Sequence, residues 1–246
     1  MTVASLPLFP LNTVLFPGLV LPLNVFEERY RAMMRALLEK DEEERQFGVV
    51  AIRDGREVAP TAPGLPDEEA EEAAKGPAAG FGADPLQAFF TVGCTADAAT
   101  IREREDGGFE VLATGTRRFK LLSVDASGPF LTGEVELLSE EEGDGAGALA
   151  SGVLRAFRTY QKRLAGARER SVAADQELPD EPSVVSYLVA AAAVLDVPTK
   201  QRLLQTPDTA SRLAEELKLL RRESAVIGKL PSLPAVELTR QPTSPN

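Results

Sequence analysis

A chain of 246 residues with 43% hydrophobic and 26% charged side chains is long enough to bury a core without staples and lies well away from the composition of disordered segments. Its formal charge of -11 repels phosphate backbones, so nucleic acid is not an expected partner. Histidine is absent and cysteine occurs once, at Cys94, which removes His-assisted nucleophiles, His-ligated metals, Cys-cluster zinc and an intramolecular disulfide.

The opening MTVASLPLFP has no basic stretch ahead of its apolar residues, and Pro7, Pro10, Pro17 and Pro22 interrupt residues 6 to 26. Neither a signal peptide nor a membrane span is expected, and the expected location is cytoplasmic. The same stretch is too Pro-rich for helix and rich in Val, Leu and Phe, which predicts two or three short β segments. From Glu27 to about Glu44, Tyr30, Met33 or Met34, Leu37 and Leu38 recur at helical spacing, with Glu27 and Glu28 in the first turn. Phe47 to Ile52 suits a buried strand.

Residues 55 to 85 combine Gly and Pro with the acidic cluster Asp67, Glu68, Glu69, Glu71 and Glu72, the composition of a mobile acidic insert with a brief helix near 67 to 75. Strands then return. Phe89 to Ala96 and Ala99 to Glu105 flank a short turn, Gly107-Gly108 marks a hairpin, and Phe109 to Ala113 and Arg118 to Val124 complete a meander. In FLTGEVEL, Leu131, Gly133, Val135 and Leu137 share one face, as expected of a half-exposed strand near a sheet edge.

Beyond the linker Glu140 to Gly147 the period turns helical, with Leu149, Val153, Phe157, Tyr160 and Leu164 on one stripe and Arg155, Arg158, Lys162 and Arg163 off it. Residues 183 to 195 offer Val184, Leu188, Ala191 and Leu195 as a partner face. Pro198 and Pro207 each suit the first turn of a helix, TKQRLLQ reads as a short one, and Thr206 as the cap of a longer one carrying Leu213, Leu217 and Leu220. From Gly228 on, the prolines predict an extended tail.

Three separated blocks carry a resemblance. Residues 6 to 34 form proline-punctuated strands followed by a helix; residues 92 to 100 and 109 to 122 end in a G-x-x-R-F pattern at Gly115, Arg118 and Phe119; residues 200 to 223 hold Lys200, Gln201, Leu203, Leu204, Arg212 and Leu213 in a K-Q-x-L-L and R-L arrangement. In this order they resemble the Lon amino-terminal, substrate-binding domain family, here as a stand-alone protein. The resemblance implies an α+β fold, a twisted β-rich PUA-like pseudo-barrel lobe over 1–139 followed by a helical-bundle lobe over 146–225, with the insert at 55–85 and a tail at 228–246.

It also implies a non-catalytic module that binds exposed or unfolded segments of client proteins. Two alternatives stay open: an adaptor or regulator docking on a separate ATP-dependent protease, and an RNA-contacting PUA-like protein using the basic residues between Arg102 and Lys120. No G-x-x-x-x-G-K-[ST] phosphate loop occurs, and no catalytic, cofactor-binding or metal-binding residue is expected. The candidate peptide-binding residues are Phe9, Leu15, Phe16, Leu19, Leu21 and Arg118, along a shallow apolar groove where edge backbone could pair with an extended chain. The bland reading of Phe9, Phe16, Phe26, Tyr30 and Phe119 is core, and that of Arg118 is a structural hold on a carboxylate or strand carbonyl.

Overall fold

In the computed structural model, which describes residues 3–53, 76–82, 84–167 and 179–228, the opening Pro-punctuated stretch forms β1 (Val3–Leu11) and β2 (Val20–Val25). Most of the acidic insert, its brief helix near 67 to 75 and the tail beyond Gly228 lie outside the described residues. Next comes α1 (Glu28–Leu38), which buries Tyr30, Met33, Met34 and Leu37, while Leu38 turns outward. The helix expected to reach Glu44 stops at Leu38, and Glu42–Glu44 close a 3-10 turn instead. Acidic residues at a helix C-terminus oppose the macrodipole, which accounts for the early stop.

Then follow β3 (Gln46–Ala51), the short α2 (Pro85–Ala88), β4 (Val92–Glu103), β5 (Phe109–Asp125) and β6 (Thr132–Leu137). The strands lie in the order β2-β5-β4-β3-β1-β6, and β5 also pairs with β6. That last pairing closes β5, β4, β3, β1 and β6 into a barrel. The 17-residue β5 makes this possible, since Phe109 to Thr114 pair with β2 and Phe119 to Asp125 with β6.

Two expectations change here. The turn read between Ala96 and Ala99 is absent: β4 runs through, with a register shift between Ala98 and Thr100, because a bulge absorbs the break in alternation that suggested a turn. Strand β6 has the predicted inward face, Gly133 and Val135 being buried, yet it lies between β1 and β5 rather than at an edge.

The barrel interior is filled by pairing large residues with glycine. Phe119 and Leu8 are fully buried, and a Cβ on Gly48 would approach the Phe119 ring to 3.0 Å, one on Gly133 the Leu8 side chain to 2.8 Å. Small barrels need this alternation because their bore is one side chain wide.

The helical lobe comprises α3 (Ala146–Ala167), α4 (Pro182–Ala192), α5 (Val197–Gln205) and α6 (Thr209–Ile227). Val153, Phe157 and Tyr160 of α3 pack with Leu213 and Leu220 of α6, on the predicted stripes. On α4 the buried residues are Val185, Ser186, Tyr187, Val189 and Ala190, and Val184 is exposed. A helix apolar on nearly every side has no stripe to read, so the face predicted at Val184, Leu188, Ala191 and Leu195 was underdetermined. Asp196 caps α5, with Pro198 in its first turn, and Asp208 caps α6 through Ser211 N–H at 2.7 Å. Thr206 instead ends α5, its hydroxyl donating to the Arg202 carbonyl, and Pro207 falls just before the α6 cap. Asp is the equal of any N-cap, and here it sits nearer the first turn than Thr206.

Replacing Gly93 by Ala tests the barrel packing. The added Cβ would stand 2.4 Å from the Phe119 ring and 2.4 Å from the Val49 carbonyl oxygen, and backbone in a central strand cannot yield. A loss of about 2–3 kcal/mol in urea unfolding is expected.

Candidate functional site

Arg118, on the outward side of β5, is 3% exposed. Its neighbour Phe119 points into the barrel, so consecutive residues are buried on opposite faces of one strand. The helical lobe covers Arg118. Its guanidinium donates to the carbonyls of Leu204 (3.0 Å), Thr206, Pro207 (3.2 Å) and Ser139 (3.3 Å) and to Glu140 Oε2 (3.1 Å). Three of those carbonyls belong to the C-terminal end of α5 and the turn after it, where unpaired C=O groups and the negative end of the helix dipole favour a cation.

Glu140 completes the arrangement from the linker between the lobes. Its Oε1 accepts from Thr209 Oγ1 (2.9 Å) and from both terminal nitrogens of Arg212 (3.1 and 3.0 Å), and its Oε2 accepts from Arg118 and from the Tyr187 hydroxyl. Arg212 is fully buried, stacks 4.1 Å over the Tyr187 ring, and also donates to Ser186 Oγ and the Leu203 carbonyl. Desolvation pulls the Glu140 carboxyl upward, but the Tyr187 hydroxyl and the Arg212 and Arg118 charges outweigh it and hold it below the ordinary range. Burial, chiefly, pushes the Tyr187 hydroxyl upward. One carboxylate thus joins β5, α4 and α6.

The remaining sequence candidates separate into two groups. Phe9 and Leu15 are buried in the cluster between the sheet and α1, with Phe9 stacked on Tyr30 at 4.3 Å. Phe16 is buried with Val14 against Tyr187, Ala190, Leu203 and Leu204, so it fastens the β1–β2 connection to the helical lobe. The G-x-x-R-F pattern gains a physical reading here: a Cβ on Gly115 would stand 2.5 Å from the Phe16 carbonyl oxygen, Arg118 binds the helices, and Phe119 fills the barrel. Leu19 and Leu21 are only partly buried, at the start of β2.

Around β2 lies a surface that the candidate residues bordered without naming. Among the described strands β2 pairs with β5 alone, and it tolerates Pro22 because an edge strand needs only one side of its ladder. Val20 is 59% exposed, Phe26 76%, and Leu112, opposite Pro22 on β5, 46%. Even-numbered residues of β2 share the outer face, so Val20, Pro22 and Leu112 form one apolar strip, with the exposed Asn24 and Glu110 between it and Phe26. Phe26 departs from the core reading given to the early aromatics. Its place directly after the buried Val25 puts it on the opposite face.

Other chemistry is sparse. Burial pushes the Cys94 thiol up to about 12, which leaves it inert as a nucleophile. Among the described residues no cluster of His, Cys, Asp and Glu could hold a metal, and no helix is long and apolar enough to cross a membrane. Glu216 on α6 is buried, and neither carboxyl oxygen has a hydrogen-bond partner among the described residues. It lines a cavity of about 10 Å³ with Tyr160, Val189 and Leu203, room for a single water.

The family model of the ATP-dependent protease La (LON) substrate-binding domain matches residues 5–222. The chain is 29% identical over 211 residues to Lon protease 2 of Syntrophobacter fumaroxidans, covering 85% of this chain and 23% of that protein. It is 26% identical over 238 residues to the Lon protease of Anaeromyxobacter dehalogenans, covering 91% and 24%. It therefore spans about a quarter of the length of these curated relatives. Its fold matches a Lon N-terminal domain protein from Xanthomonas campestris, with a TM-score of 0.56, 23% identity and coverage of 87% of this chain and 98% of that one. It also matches the N-terminal domain of Mycobacterium avium complex Lon protease, with a TM-score of 0.57, 19% identity and coverage of 90% and 98%.

Replacing Glu140 by Ala strands two buried guanidiniums. A loss of about 3 kcal/mol is expected in urea unfolding. Because the folded carboxyl titrates below its ordinary 4.5, its stabilisation is complete above that value and disappears as pH falls through the folded one. The wild-type acid transition should therefore flatten in Glu140→Gln. Glu216 has the opposite sign. Burial raises its carboxyl well above 4.5, with Arg212 pulling weakly downward, so it destabilises the fold increasingly as pH rises above the unfolded value. Glu216→Met should raise Tm at pH 8, with the gap closing near pH 4.5; a gap independent of pH would contradict this.

Proposed function

Because the chain belongs to the LON substrate-binding domain family, we propose that it binds exposed, extended segments of other proteins along β2, without chemistry of its own. The observation that carries this reading is the edge of β2, unshared among the described residues and flanked by the apolar strip of Val20, Pro22 and Leu112 and by Phe26. A segment laid along that edge would pair backbone to backbone and set alternate side chains on the strip, the economy of strand addition. Recognition of this kind reads extended backbone and apolarity rather than one sequence, which suits unfolded clients.

The candidate contacts divide accordingly. Leu19 and Leu21 lie along the binding strand with their side chains packed toward the core, Phe9, Leu15 and Phe16 support that strand from beneath, and Arg118 fastens the helical lobe. Exposed aromatic and β-branched residues on an otherwise charged surface support the reading, since a folded chain gains nothing by leaving Phe26 in water.

Capture of a reduced, carboxymethylated protein that cannot refold tests it. The pair Val20→Lys with Phe26→Glu should weaken binding about tenfold, roughly the worth of 1.4 kcal/mol, and leave Tm unchanged because both side chains are exposed. Equal capture by wild type and variant, or none by either, would overturn the reading.

A further inference from the structure

We propose that the groove between α3 and α6, on the helical lobe, is a docking site for a short acidic segment of a partner protein. The groove measures about 390 Å³ and opens to solvent, with Arg155, Arg163 and Arg221 on its rim and Gly152, Ala156 and Leu217 among the residues that line it. A Cβ on Gly152 would meet only Leu217, at 3.8 Å, so the floor at this point is open rather than filled by a neighbour.

Charge selects the occupant. Arg155, Arg158, Lys162 and Arg163 of α3 and Arg221 and Arg222 of α6 are all exposed, and none forms an ion pair among the described residues. On the β lobe Arg29, Arg31, Arg35, Arg45 and Arg104 each have a carboxylate partner, and the exposed Arg102, Arg117 and Lys120, which have none among the described residues, lie on strands β4 and β5 rather than around a groove. In a chain with 38 acidic and 27 basic residues, unpaired cations gathered on two facing helices run against composition. The helices also bear like charges three and four positions apart, a spacing that destabilises an isolated helix. The carboxylates nearest in sequence do not quench the rim: Glu215 pairs with Lys218, and Glu223 lines the separate cavity beside Tyr160.

The geometry favours a peptide over a nucleic acid. From residue 152 to 163 a helix rises about 16 Å, which accommodates roughly five extended residues. Between the arginines the groove is lined by Gly152, Ala156, Leu217 and Leu220 together with Thr159 and Ser224, a mixed surface that suits peptide side chains and gives a phosphate backbone no apolar contact. A net charge of -11 further repels a long polyanion beyond the groove, while a short acidic segment feels mainly the local arginines through a screening length of about 8 Å. The ligand class is a segment carrying acidic side chains on one side and small apolar ones on the other. The site is distinct from the β2 edge and does not rest on its role.

Fluorescence anisotropy of the full chain with a labelled peptide alternating Glu and Leu tests the proposal. A Lys-Leu peptide and a single-stranded oligonucleotide of similar length serve as the other arms. The acidic peptide should bind, weaken markedly with added salt, and lose about tenfold in affinity when Arg155→Glu is combined with Arg221→Glu. Arg163 is left intact because its Nη1 donates to the Ser224 carbonyl at 2.6 Å. Gly152→Leu, which fills the floor and keeps the charge, should also block binding, and neither variant should lower Tm, because one removes like-charge repulsion and the other a helix glycine. Failure of the acidic peptide to bind at low salt, undiminished binding by the charge-reversed variant, or preference for the oligonucleotide would each overturn the proposal.

Discussion

A single carboxylate, Glu140, decides whether this chain is one body or two. Two guanidiniums are withdrawn from water at the junction, Arg118 from the barrel side and Arg212 from the helical side, and both are satisfied through Glu140. Burying two like charges together is unfavourable unless a counterion and enough acceptors accompany them. The linker supplies the counterion, and the end of α5 supplies the acceptors. Arg118 uses Nε and both terminal nitrogens, in a fork that a lysine ammonium cannot imitate. The clamp therefore specifies one relative placement of barrel and bundle, where apolar contact alone would tolerate sliding.

The apolar part of the same junction is built around that constraint. Phe16, Val14 and Ala51 come from the barrel side and Tyr187, Ala190, Leu203 and Leu204 from the helices. Tyr187 belongs to both systems, its ring packed near Phe16 at 6.1 Å and beneath Arg212, its hydroxyl on Glu140. Gln201 adds a bond from α5 to the Val92 carbonyl on β4. Removal of the carboxylate thus exposes more than a lost ion pair, because the tyrosine that orients the apolar contact loses its anchor as well.

Much of this architecture was legible in sequence wherever one residue answered to one environment. Tyr30, Met33 and Leu37 have a single buried side to occupy, and Val153, Phe157 and Tyr160 likewise. Legibility failed where two environments met. Arg118 reads both as a candidate contact and as a structural hold on a carboxylate or carbonyl; the second holds, but nothing local reveals that a helix end more than 80 positions away would cover it. The clamp had a trace in the sequence, since Arg118 and Arg212 both lie in the blocks that carried the family resemblance, but Glu140 stood in a run of acids that reads as solvent. Val184 on α4 was misplaced because an apolar helix offers no stripe, and Phe26 because the habit of burying aromatics carries no information about which face follows the end of a strand.

The arginines are divided by role, and the division explains how an acidic chain can keep two different surfaces. Those at the junction are consumed: Arg118 and Arg212 are buried with their donors occupied by carboxylate and carbonyls. Arg155, Arg158 and Arg163 of α3 and Arg221 and Arg222 of α6 are exposed and form no ion pair among the described residues. The outer face of β2 carries no charged side chain, Val20, Pro22 and Asn24 being its exposed residues. An apolar extended ligand therefore meets no charged side chain of β2 at the edge, and an acidic one finds a groove rimmed by arginines between the helices. Rigid coupling through Glu140 fixes the separation between the two surfaces, so a partner carrying both kinds of segment would have to match one distance rather than an ensemble of them. Such matching is where two weak contacts become a selective one.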